Sequence, residues 1–167
     1  RFNAPLVDIA LQLISRNIRA QIRGRSIGDG LLKLLDKLQN EHGITNYSSF
    51  LGSYRSIVAE MCQNKSAERK KDIVDNFRII HVLLRQSPDN LDRARSTISS
   101  LFSDDTNSSS AVLSTIHRFK GLEDSHIIWL RADGDNGPEQ SEINCRYVAC
   151  TRAKDRLTIV RPKQQED

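Results

Sequence analysis

Residues 111–123 read AVLSTIHRFKGLE, an apolar run that passes directly into a dense polar segment. The short run 111–115 has the β-branched, apolar character of a strand buried in a parallel sheet. On that reading Thr115 and His117 stand at the carboxyl end of the strand, where ligands bind in open α/β sheets. Working outward, residues 126–130 and 157–160 are two more runs of the same kind. Residues 139–153 lie between them, with helical spacing at Ile143, Tyr147 and Cys150. Strand, helix and strand therefore alternate toward the C-terminal side.

The opening residues carry the same alternation. Asn3 followed by Ala4-Pro5 predicts an N-cap with proline in the first turn. Leu6, Ala10, Leu13 and Ile14 continue a helix to about Arg16, residues 19–23 read as a short strand ended by Gly24, and Leu31, Leu34, Leu35 and Leu38 stripe a second helix that Gly43 stops. The middle differs. Phe50, Tyr54, Ile57, Val58 and Met61 form one amphipathic stripe and Ile73, Phe77, Ile80 and Leu84 another, while Ser87-Pro88 signals a helix start before Leu91, Ala94, Ile98 and Leu101. Residues 103–110, SDDTNSSS, are a polar low-complexity loop. The expected architecture is α/β: a parallel sheet with flanking helices over residues 1–42 and 104–167, interrupted by an all-α insertion over 43–103.

Composition narrows the function classes. At 167 residues with 38% hydrophobic side chains the chain supports an ordinary core, and no apolar run is long enough to span a bilayer. No charged-then-apolar leader opens the chain, which starts at Arg1 without a methionine, so a piece of a longer cytoplasmic protein is expected. Cys62, Cys145 and Cys150 are odd in number and lack CxxC spacing, so buried reduced thiols are expected rather than disulfides or a zinc site. A net charge of +4 permits nucleic-acid binding without requiring it. Arg16, Arg19, Arg23 and Arg25 fall within ten residues that contain no acid, and Arg152, Lys154, Arg156, Arg161 and Lys163 form a second cluster diluted by Asp155. Either cluster also fits a solvated face.

The chain has no GxxxxGK[ST] phosphate loop; residues 24–30, GRSIGDG, lack the lysine and the hydroxyl residue that must follow it. No strand ends in paired acids suited to magnesium. Polar density gathers instead in residues 113–123, LSTIHRFKGLE, and 145–157, CRYVACTRAKDRL. In the first, Gly121 allows close backbone approach and Glu123 can accept hydrogen bonds from a sugar hydroxyl, yet His117 equally suits a local cap and Lys120 a solvated position. In the second, Tyr147, Val148 and Cys150 give a helix a buried face, with Thr151 and Arg152 near its exposed end. An arginine there offers a planar, permanently charged fork to a phosphate, or a partner for a surface salt bridge.

Taken in order, the segments resemble a known family. LSTIHRFKGLE followed by YVACTRAKDRLTIV is similar to the fifth and sixth motifs of the UvrD, Rep and PcrA helicases of superfamily I, and the opening RFNAPL resembles their fourth. The resemblance implies a RecA-like domain, the C-terminal motor half of an ATP-dependent DNA helicase or translocase. Lys120, where opposite-polarity relatives carry glutamine, implies 3′-to-5′ movement. ATP and Mg²⁺ would be held mainly by an N-terminal RecA-like domain of the same polypeptide. Arg1 and Arg152 would be the catalytic γ-phosphate arginines, joined in nucleotide binding by Gly121 and Glu123; Thr115 and His117 would contact single-stranded DNA. The helical block is far shorter than the insertion of the large relatives. A helicase module of a larger repair nuclease, or a DNA-binding or docking module without motor activity, remain alternatives.

Overall fold

The computed structural model describes residues 3–103, 110–130 and 140–160. The chain divides into two compact units, residues 2–114 and residues 115–167.

The first unit holds helix α1 (Ala4–Ser15), strand β1 (Ala20–Ile22), helices α2 (Arg25–His42), α3 (Tyr47–Cys62), α4 (Ala67–Gln86) and α5 (Leu91–Leu101), and strand β2 (Ala111–Leu113). Helix α1 begins where proline in its first turn predicts, but the Asn3 side chain makes no cap. The α4 carboxylate of Asp75 does that work, accepting from the backbone N–H of Asn3 at 2.8 Å and of Ala4 at 3.3 Å. Amides at a helix start have no intrahelical acceptor, and their partial positive charge suits a carboxylate. That accounts for an aspartate only 5% exposed.

Helix α2 buries Leu31, Leu34, Leu35 and Leu38 and ends at Gly43 in the left-handed region, φ 64°. Helix α3 starts with a reciprocal box between Asn46 and Ser49, and α4 with Ser66 accepting from the Arg69 N–H. The start signal at Ser87-Pro88 lies a few residues early: the cap of α5 is Asn90, whose side chain accepts from the Arg93 N–H at 2.8 Å. Strands β1 and β2 run parallel, pairing Ala20 with Ala111 and Ile22 with Leu113. Their inward residues Ala20, Ile22 and Leu113 join a core shared by all five helices. Phe50 and Phe77 are buried in it, stacked at 6.2 Å between ring centroids, and the half-buried Tyr54 packs edge-on against both. The helices of 43–103 thus bury their apolar faces in the same core as α1, β1 and α2.

The second unit holds strand β3 (Asp124–Leu130), helix α6 (Gln140–Cys150) and strand β4 (Ala153–Val160). β3 and β4 are parallel, in register from His126 opposite Arg156 to Leu130 opposite Val160. Parallel neighbours need a long crossover, and α6 lies within it. The chain is therefore mixed helix and sheet with short parallel strands, an α/β arrangement. Two expectations need correction. The described strands form two two-stranded sheets instead of one. β3 and β4 are also largely exposed, Ile128 at 57% and Ile159 at 42%. A two-stranded ribbon with one helix beside it has few partners for its side chains, so apolar, β-branched sequence does not by itself bury a strand.

Candidate functional site

The second polar segment and residues 115–123 of the first fall in the second unit, and the structure joins them. The first folds as a helical turn: the Thr115 carbonyl accepts from the N–H groups of Arg118 and Phe119 at 3.1 Å each, His117 O from Lys120 N at 3.4 Å, and Phe119 O from Leu122 N at 3.1 Å. The turn exits through Gly121 at φ +84°, a conformation that side chains with a Cβ rarely adopt. A Cβ at Gly121 would meet nothing within 4 Å, so this glycine serves the backbone's path and leaves open space beside it. Thr115 is half-buried, whereas His117, Gly121 and Glu123 are exposed.

The second segment closes α6. Thr151 follows the last helical residue, its N–H donating to the Tyr147 carbonyl at 3.1 Å. Its hydroxyl lies 3.0 Å from the same carbonyl and 3.2 Å from that of Val148. Arg152 comes next and spreads its guanidinium over three acceptors. Nε donates to Val148 O at 3.1 Å, Nη1 to Leu122 O at 3.3 Å and Nη2 to Thr151 Oγ1 at 3.0 Å. A cation bonded to the last carbonyls of a helix also complements the negative end of its dipole. The Arg152 backbone carbonyl accepts from the Asp124 N–H at 3.1 Å, so main chain and side chain of one residue both clasp the stretch 122–124.

This geometry brings Gly121, Glu123 and Arg152 together around the Leu122 carbonyl. Thr115 and His117 stand at the opposite end of the same turn. Arg1 lies outside the described residues. Arg152 is half-buried and held by its own chain, where the sequence predicts an exposed end. The expected buried face of α6 also shifts: Tyr147 is 70% exposed and Cys150 is exposed, while Ala149 is buried and Val148 half-buried. The thiol of Cys150 is accordingly exposed and free, and Cys62 is free and partly buried. Lys154 and Arg156 of the second basic cluster are exposed on β4; Arg161 and Lys163 lie outside the described residues. Among the described residues no group of His, Cys, Asp and Glu could hold a metal ion, and no helix is long and apolar enough to cross a membrane.

Sequence reasoning missed the three acceptors that fix Arg152, the carbonyls of Val148 and Leu122 and the hydroxyl of Thr151. A threonine just past a helix end commonly bonds back to the carbonyl four residues earlier, so the Thr151 contact had a local signal. The Leu122 carbonyl, 30 positions away, had none.

No curated protein matches the chain. Residues 110–160 match the UvrD-like helicase C-terminal domain family. The match runs from β2 through the Thr115 turn, β3 and α6 to the end of β4. The segment that carries the Arg152 clasp is thus similar to the UvrD-like helicase C-terminal domain.

Proposed function

We propose that the chain is the C-terminal, RecA-like motor domain of an ATP-dependent 3′-to-5′ DNA helicase or translocase. In this reading ATP and Mg²⁺ are bound mainly by an N-terminal RecA-like domain of the same polypeptide, and single-stranded DNA runs over both. The observation that carries it is the Arg152 clasp inside the family-matched segment, which sets a guanidinium fork beside Gly121 and Glu123. The donor set suits a nucleotide: a planar cation for phosphate, open space at a glycine, and an exposed carboxylate that can accept from ribose hydroxyls.

ATP, when bound, supplies the phosphoryl group whose transfer to water drives the cycle. Arg152 stabilises charge developing on the phosphoryl oxygens, a role worth on the order of 10³–10⁵ in rate, and Arg1 is proposed as the second such cation. Glu123 orients the sugar, and Thr115 and His117 meet the DNA backbone, which carries no sequence information. Closing the cleft with ATP and opening it after hydrolysis alternates the grip on the strand.

The chain has no phosphate-binding loop. Purified 1–167 should therefore show no ATP hydrolysis, while the polypeptide including its N-terminal domain should hydrolyse ATP and be stimulated by single-stranded DNA. Phosphate release assays on the two proteins make the comparison. DNA-stimulated turnover by 1–167 alone would contradict the proposal.

A further inference from the structure

Arginine has five N–H donors and no acceptor, so the plane of its guanidinium is set by the acceptors around it. Two of the acceptors around Arg152 are backbone carbonyls, Val148 and Leu122. The third, Thr151 Oγ1 at 3.0 Å from Nη2, is a side-chain atom. A freely rotating hydroxyl would be a poor anchor, but this one is itself held, 3.0 Å and 3.2 Å from the Tyr147 and Val148 carbonyls. Donating its proton to the helix end leaves its lone pairs for the guanidinium. Hydrogen bonds arranged in such a chain polarise and strengthen one another.

We propose that Thr151 is a positioning residue for Arg152, locking the rotation of the guanidinium against the end of α6 so that it meets phosphate already oriented. The inference rests on the reading of Arg152 as the phosphate-facing arginine. A threonine that only closed a helix would need the carbonyl contact alone; here the same oxygen carries a second bond, to the neighbouring side chain. A fork needs its plane aligned as well as its charge nearby, because small misplacements of a catalytic group cost large factors in rate. Thr151 is exposed, so replacing it should leave the fold intact.

The test uses the intact polypeptide, measuring DNA-stimulated ATP hydrolysis for Thr151→Val, Thr151→Ser, Arg152→Ala and the double variant Thr151→Val with Arg152→Ala. Thr151→Val keeps the shape and removes the oxygen; Thr151→Ser keeps the oxygen. Thr151→Val should lower kcat by about 10²-fold, with KM for ATP moving less than about threefold, since orientation is needed most in the transition state. Thr151→Ser should stay within about threefold of the parent. In the Arg152→Ala background, Thr151→Val should add no further loss, because its only route to catalysis has gone. Normal kcat in Thr151→Val beside an inactive Arg152→Ala would overturn the positioning role, as would equal losses in the valine and serine variants or independent losses in the double variant. Normal turnover in Arg152→Ala itself would overturn the motor reading and this inference with it.

Discussion

Arg152 shows how much one side chain can carry on three hydrogen bonds. Its guanidinium closes α6 through Val148 and ties the helix to the turn through Leu122, so it is a structural clasp in its own right. The sequence places Arg152 correctly at a helix end but predicts an exposed residue there. Half-buried and bonded to two carbonyls, it should instead cost on the order of 1–2 kcal/mol when replaced by alanine, the range of hydrogen bonds to a charged group discounted for partial exposure. Urea unfolding of Arg152→Ala and its parent measures this directly. A difference below about 0.5 kcal/mol, the usual range of surface substitutions, would mean that the clasp does not persist in solution. The type and place of Arg152 were legible because motif and helix end coincide. The Leu122 carbonyl was not, because any residue supplies a carbonyl and only the turn brings this one into reach.

At the scale of elements the helices were read well and their ends less so. The leucine stripe of α2 and the phenylalanines of α3 and α4 announce a buried face by spacing alone, and the structure buries them. Gly43 stops α2 by the left-handed conformation it alone adopts cheaply. The start of α1 was legible in position and not in mechanism. Its cap is Asp75, 72 residues away on α4, and local pattern cannot reveal a partner that distant. Asp75→Ala should leave the Asn3 and Ala4 amides without their acceptor and destabilise the chain by about 1–3 kcal/mol. Thermal or urea melts of Asp75→Ala read that loss, and a melt indistinguishable from the parent would remove Asp75 from the account of α1. The strands were found in the right places and in parallel pairs, but apolar runs foretell neither the exposure of β3 and β4 nor the division into two sheets. Those depend on what covers a strand, which its own residues do not encode.

At the scale of the molecule, the chain combines a well-packed helical unit with a smaller β3–α6–β4 unit that holds the Arg152 clasp and lies within the match to the UvrD-like family. The proposed motor divides its labour accordingly. In that proposal a phosphate loop elsewhere in the polypeptide would grip ATP, and Arg152 would stabilise its γ-phosphate from this side. Arginine is required there for geometry as well as charge, since a lysine offers a point charge without the planar fork. The decisive measurement is DNA-stimulated ATP hydrolysis by the intact polypeptide carrying Arg152→Lys or Arg152→Ala, with single-stranded DNA binding and unfolding followed in parallel. The account predicts that both variants lose about 10³-fold or more in kcat while still binding DNA and unfolding cooperatively. Near-normal turnover in a folded Arg152→Ala protein would contradict it.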